Sequence, residues 1–137
     1  MEESVQQWVT EKLEQTVEKV RIEAHRLDGK TPYISYDGVY SDTFAERGED
    51  WWTNGFWGGI LWKLFDYTKD PYFKKEAIRQ EKRLDNALYE FKDIHHDVGF
   101  LWMPTAVAHY RVTGSRQAYR TGLHAANLLA GRFTDLP

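Results

Sequence analysis

Along the first 27 residues, Val9, Leu13, Val17, Val20, Ala24 and Leu27 recur at steps of four, four, three, four and three. That spacing puts them on one helical face. Ser4 stands where an N-cap would serve this helix, and "LDGK" at 27–30 stops it. Residues 30–50 show no period and are read as loop. A second, more apolar helix is predicted from Thr53 or Asn54, with Trp57, Ile60, Leu61, Leu64 and Phe65 on its inner face. "TKDPY" at 68–72 supplies a turn in which Asp70 caps a third helix and Pro71 takes its first position. That helix carries Phe73, Ala77, Leu84, Leu88 and Phe91 and a broad polar face. A fourth is predicted near Gly99, with Phe100, Met103, Val107 and Tyr110 on one side, and Pro104 early enough to delay or kink it. "VTGS" at 112–115 ends it, and a fifth helix runs from about Arg116 to Phe133.

The pattern repeats. "NGFWGGILWKLFDYTKDPYFKKEA" and "VGFLWMPTAVAHYRVTGSRQAYRTGL" each read as Gly-Phe, an apolar helix, a Thr-containing turn and a more polar helix. The Gly-Phe pairs lie 44 residues apart, and Thr68 and Thr113 lie 45 apart. Helical hairpins at this period build solenoids or closed toroids, with the less polar helix of each pair inside. The expectation is an all-α chain of helical hairpins, with too few copies in residues 1–137 to close a ring.

Composition narrows the function. A chain of 137 residues can bury the core of one domain. A net charge of −3 offers no electrostatic attraction to nucleic acid or an anionic membrane. There is no cysteine, hence no disulfide and no thiolate metal site. The opening "MEESVQQWVTEKLEQ" has no apolar core of a secretion signal, and no stretch is long and apolar enough to span a bilayer. A cytoplasmic location is the expectation. Six Trp and eight Tyr supply flat apolar faces, the surfaces on which sugar rings stack.

Two stretches carry candidate chemistry. "DWWTNGFWGGILW" at 50–62 holds four of the six tryptophans. Trp57 and Trp62 lie at or near the helical stripe and are expected in the core. Trp51 and Trp52 precede the helix, where a loop meets the mouth of the inner layer. Gly55, Gly58 and Gly59 weaken a helix relative to alanine, so they imply close backbone approach to a neighbouring helix or a ligand. "DIHHDVGF" at 93–100 sets His95, His96 and Asp97 before an apolar helix start. Adjacent residues seldom converge on one ion, and no other ligand lies at a zinc spacing, so no metal is expected. Asp97 can cap the helix and complement its dipole, or it can act as a carboxyl whose acidity is tuned by burial and neighbouring charge. His25, His109 and His124 are scattered and expected to be structural, and residues 74–93 form the wet face of an outer helix.

"WTNGFWGGILWKLFDYTKDPYF" followed by "HHDVGFLW" resembles the N-terminal part of the unsaturated glucuronyl hydrolases and the related unsaturated rhamnogalacturonyl hydrolases. The likeness covers residues 30–133 and rests on two motifs in order: Trp-Thr-x-Gly-Phe-Trp, then His-Asp-x-Gly-Phe one hairpin later. It implies that residues 1–137 are the first part of an (α/α)6 barrel, six helical hairpins in a ring. It also implies a substrate, the oligosaccharides left by polysaccharide lyases, which carry an unsaturated uronic acid at the non-reducing end. An acid protonates the ring double bond, positive charge develops at the neighbouring carbon, activated water adds there, and the hemiketal opens. No cofactor or metal takes part. By the same likeness Asp97 is the catalytic-site aspartate, Trp52 and His96 contact substrate, and Asn54, where some members carry Asp, is a further substrate-facing position. The family's principal acid/base aspartate belongs to a later hairpin, so residues 1–137 alone are expected to be inactive and to self-associate or require the rest of the barrel. The rival readings are a non-catalytic sugar-binding or scaffold module, and another (α/α)6 sugar enzyme such as an epimerase.

Overall fold

The computed structural model describes residues 2–91 and 94–133. Asp93, first residue of the "DIHHD" run, lies outside them. The elements are α1 (Glu2–Leu27), a two-residue β-hairpin of β1 (Ser35–Tyr36) and β2 (Val39–Tyr40), α2 (Thr43–Arg47), α3 (Asn54–Thr68) and α4 (Pro71–Tyr89). There follow α5 (Val98–Trp102), a π-helical turn at Met103–Val107, α6 (Ala108–Thr113) and α7 (Arg116–Ala130). Helical hairpins dominate, as the periodicity predicts.

Two antiparallel hairpins carry the fold. The first is α3 with α4. In the second, the rod Val98–Thr113 pairs with α7. Their corners use one device twice. Thr68 Oγ1 donates to the Leu64 carbonyl (2.7 Å) and accepts the N–H of Asp70 (3.1 Å). Thr113 Oγ1 donates to the His109 carbonyl (2.8 Å) and accepts the N–H of Ser115 (3.2 Å). Between each pair sits one left-handed residue, Lys69 (φ 58°) and Gly114 (φ 72°), whose N–H closes the helix on Phe65 and Tyr110. The next helix is then capped, by Asp70 on the N–H of Tyr72 (2.8 Å) and by Ser115 on that of Ala118 (3.3 Å).

Close approach joins the hairpins. A Cβ at Gly55 would collide with the Phe100 and Leu101 carbonyls, and one at Gly59 would sit 2.6 Å from Pro104 Cβ. The glycines therefore serve a neighbouring helix. Pro104 explains why those carbonyls are there. It has no N–H for the Phe100 carbonyl four residues back, so the rod loosens into its π-turn. Thr105 Oγ1 takes the Leu101 carbonyl at 2.6 Å instead.

The core has two parts. Trp57, Leu61, Trp62, Phe73 and Ala77 bury against Ala24 and Leu27 of α1. Leu84 and Leu88 of α4 bury against Leu101, Trp102, Ala106 and Ala125. The segment between α1 and α3 is pinned to α4 by polar groups rather than by apolar rhythm. Thr31 Oγ1 donates to Gln80 (2.6 Å), Thr43 Oγ1 donates to the Thr31 carbonyl (2.8 Å), and Arg83 pairs with Asp42 (2.6 Å) while donating to the Gly29 carbonyl (2.8 Å).

Several expectations are corrected. Ser4 lies inside α1, which already runs from Glu2, so it is not the N-cap. Only the second half of the α1 stripe is covered, and Val9 and Leu13 are exposed. Residues 30–50 hold a tight hairpin turn at Asp37 and Gly38 (φ 51° and 75°), which is the Asp-Gly turn signal. Ile60, Phe100, Met103 and Tyr110 face outward. Ile60 departs from the inner face expected of it, while Phe100, Met103 and Tyr110 share a side as expected, and that side is exposed. The last helix ends at Ala130, leaving Phe133 exposed, and Phe91 lies beyond the end of α4 with φ 53°.

Candidate functional site

The two motif stretches meet at the N-terminal ends of α3 and the Val98–Thr113 rod. Trp52, Phe56 and Phe100 form an aromatic triangle with centroids 5.6–6.0 Å apart and rings steeply tilted to one another. Each of the three is partly open, Trp52 at 37%. Phe56 follows Trp52 by one helical turn, a spacing that could have signalled it. Trp51 turns the other way. Its indole lies under the Arg47 guanidinium (5.1 Å) and near Tyr33 (5.9 Å).

Beside the triangle, His95, His96 and Asp97 cluster. Asp97 occupies the N-cap position of α5, but its carboxylate makes no capping hydrogen bond, which corrects the capping role expected of it. Instead Oδ2 lies 3.4 Å from His95 Nδ1 and Oδ1 lies 3.5 Å from His96 Nε2. The Asp97 side chain is 20% exposed, and that of His96 is 85% exposed. On the far side of the His95 ring, Nε2 lies 3.6 Å from Oδ2 of Asp50. Asp50 and His95 were not singled out for a role in the sequence. Only the fold brings residue 50 beside residue 95.

One donor atom from each of His95, His96 and Asp97 can be chosen so that all lie within 4.8 Å. Adjacency thus does not prevent these side chains from converging. The lone pair of His95 Nδ1, however, already accepts the Asp97 N–H at 3.2 Å.

Asn54 departs from its substrate-facing expectation. It is 1% exposed, and its Nδ2 donates to the carbonyls of Gly48 (3.0 Å) and Glu49 (3.1 Å). It ties the loop to the start of α3. Its Oδ1, Trp51 Nε1 and Thr53 Oγ1 are buried without a hydrogen-bond partner among the described residues. Trp52, by contrast, is partly open and packs on Phe100, whose N–H bonds to the Asp97 carbonyl, and the exposed His96 lies beside Asp97, so triangle and cluster flank the mouth between the two helix starts. An open groove of about 790 Å³ adjoins it, running from Phe56 past Ile60 and Trp62 to Met103 and Thr16. No helix among the described residues is long and apolar enough to cross a membrane.

Such a mouth can do two things. An open aromatic triangle offers an apolar platform to a ring-shaped polar ligand. A carboxyl released from capping, with two imidazoles beside it, can give and accept a proton at that platform.

No family model matches the chain. Individual proteins do. It is 33% identical over 110 residues to the unsaturated glucuronyl hydrolase of Bacillus sp. (strain GL1), covering 80% of this chain and 26% of that protein. It is 32% identical over 132 residues to the unsaturated chondroitin disaccharide hydrolase of Streptococcus pneumoniae, covering 91% of this chain and 32% of that one. Among solved structures, a mutant unsaturated glucuronyl hydrolase from Streptococcus agalactiae complexed with dGlcA-GalNAc6S superimposes with a TM-score of 0.72 at 28% identity. That match covers 88% of this chain and 33% of that one. The Bacillus sp. GL1 enzyme gives 0.71 at 30% identity, covering 82% and 29%. The hairpins correspond to part of the α/α barrel of those structures. By sequence and by backbone together, this chain is homologous to the unsaturated glucuronyl hydrolases and spans about a third of their length.

Proposed function

We propose that residues 1–137 form the N-terminal portion of an (α/α)6-barrel glycosidase that hydrates the ring double bond of an unsaturated uronyl sugar. The observation that supports it best is that Trp52 packs on Phe100, three residues after Asp97, with the Asp97 carboxylate spared from helix capping. The names of the homologues point to the substrate class, unsaturated glucuronyl sugars such as unsaturated chondroitin disaccharide. Asp97 carries or relays the proton, His96 lies at the sugar, and Trp52 stacks on it. The segment alone is inactive, because a second carboxyl and the remaining walls come from elsewhere in the barrel. No cofactor enters this reading. A cysteine-free chain suits the cytoplasm, where imported oligosaccharides would be degraded.

The test is an absorbance assay on the complete protein that contains this segment. An unsaturated uronyl disaccharide loses its near-ultraviolet band when the double bond is hydrated. Turnover with that substrate, none with its saturated counterpart, and a fall of at least about 100-fold for Asp97→Asn are expected. Turnover of the saturated sugar would favour an epimerase. Full activity in the Asp97→Asn protein, with sugar binding lost on Trp52→Ala, would leave Asp97 outside the chemistry and favour a binding module.

A further inference from the structure

Asp97 holds an N-cap position without using its side chain there, and its own backbone N–H is taken by a neighbouring side chain, that of His95. Its Nδ1 accepts the backbone N–H of Asp97 at 3.2 Å, a role that Asp or Asn side chains fill two residues ahead of a turn. The Asp97 carbonyl then accepts the N–H of Phe100 at 2.8 Å and opens α5. The backbone of residue 97 is therefore fixed without its carboxylate, which stays at the mouth.

Nδ1 can accept only if it carries no proton, so the ring proton of neutral His95 must sit on Nε2. Carboxylates flank the ring on both sides: Nε2 faces Asp50 at 3.6 Å and Nδ1 faces Asp97 Oδ2 at 3.4 Å, so Asp50 supplies the negative charge that holds the proton on Nε2 against the pull of Asp97. Asp50 is three-quarters buried on the loop before α3, and His95 is about one-third exposed. The residues touch across 45 positions of sequence.

We propose that Asp50 and His95 are a positioning pair for Asp97: Asp50 holds His95 in its Nε2–H form, and His95 Nδ1 takes the Asp97 amide, which fixes the backbone that carries the carboxylate. The role of the pair in catalysis rests on the proposed function, but the tautomer does not. A proton on Nδ1 would undo the arrangement. The amide would lose its acceptor, and a new donor would stand 3.4 Å from Asp97 Oδ2, tying up the carboxyl the reaction needs. The groups facing the ring are Asp50, Asp97 and His96, whose ring centroid is 5.3 Å away. Arg132 contacts the neighbouring Ile94 carbonyl at 3.3 Å.

The experiment is nitrogen-15 NMR on the 137-residue chain, reading the two ring nitrogens of His95 and the Asp97 amide at neutral pH. The expected result is a protonated Nε2, a bare Nδ1 and a hydrogen-bonded Asp97 amide. Asp50→Asn should raise the Nδ1–H tautomer several-fold. His95→Ala should release the Asp97 amide, and His95→Asn, whose oxygen can stand in for Nδ1, should restore its bonded shift. Asp97→Asn should leave the His95 tautomer unchanged, whether or not the protein acts on sugar. A wild-type His95 protonated on Nδ1, a tautomer indifferent to Asp50→Asn, or an Asp97 amide unmoved in His95→Ala overturns the proposal. The sugar assay above tests the functional reading separately.

Discussion

The indole of Trp62 and the imidazole of His109 lie nearly parallel with centroids 4.2 Å apart, and both reach the same carboxylate, that of Glu81. Trp62 Nε1 donates to Oε1 at 2.7 Å, and His109 Nδ1 lies 2.8 Å from Oε2. An ionised carboxylate can only accept, so His109 carries its proton on Nδ1 when neutral. This one acceptor links α3, α4 and α6, which suits the structural role expected of His109. Glu81→Ala should strand two ring N–H groups at the packed layer and cost about 2–4 kcal/mol, read as a lower denaturation midpoint. Glu81→Gln keeps one acceptor oxygen and should cost about half as much. Equal losses would show that packing of the stem, not the shared acceptor, holds the three helices.

A methyl group at position 55 has nowhere to go. Gly55→Ala should push the rod Val98–Thr113 off α3 and destabilise the chain by about 3 kcal/mol or more, since the obstacle is backbone rather than a pliable side chain. Gly99→Ala, where a new Cβ meets nothing within 4 Å, serves as its control and should be near neutral. Thermal melts of the two variants check this, and equal melting temperatures would contradict the close approach.

Two aspartates should respond to acid in opposite directions. Burial alone would raise the Asp42 carboxyl, but the Arg83 guanidinium and the Thr31 N–H outweigh it and hold Asp42 below the ordinary range. Its folded value is lower than its unfolded one. The resulting stability is present above the unfolded value, about 3.9, and fades as pH falls through the folded value. Asp85 is raised, first by burial and then by the negative charge of Glu81, against a smaller pull from Lys82. Its ionised form therefore weakens the fold at neutral pH, and that cost is relieved as pH falls through the raised value. Melting curves should show Asp42→Asn less stable and Asp85→Asn more stable than the parent at neutral pH. Both differences should shrink toward about pH 3.

Uncovered apolar side chains should make the isolated chain associate. Val5, Trp8 and Val9 on α1 and Ile60 and Met103 beside the groove face solvent. Sedimentation at rising concentration should show a growing mean mass. Ile60→Glu combined with Met103→Glu should reduce it without lowering the melting temperature, because both side chains are already exposed. A mass that stays monomeric at every concentration would refute this.

The helices were legible because α4 and α7 keep an unbroken 3.6-residue rhythm and carry recognisable caps at Asp70 and Ser115. The second motif gave a stripe but not the direction it faces: Phe100, Met103 and Tyr110 share the exposed side, and Leu101, Trp102, Thr105 and Ala106 bury. The loop before α3 was opaque for another reason. Thr31, Asp42, Gln80 and Arg83 hold it by hydrogen bonds between residues roughly 40 to 50 positions apart, and such pairings leave no period. At the site, Trp52, His96 and Asp97 stood out as residue types in a motif. Asn54 shares that motif, yet its amide is spent on the loop. Asp50 gave no sign of meeting His95, since their proximity depends on how closely Gly55 lets two hairpins approach.

The twin corners at Thr68 and Thr113 carry one more consequence. Each is self-contained: the threonine closes the helix behind it, and the next polar side chain opens the helix ahead. The hydrogen bonds that close each bend come from its own hairpin, and Arg21 of α1 adds an ion pair to Asp70 at 2.9 Å from outside the first. A gene encoding such units can be lengthened or shortened by whole hairpins without redesigning a bend. Each bend can also form on the ribosome as soon as its own few residues have emerged, before the hairpin that follows it has been made.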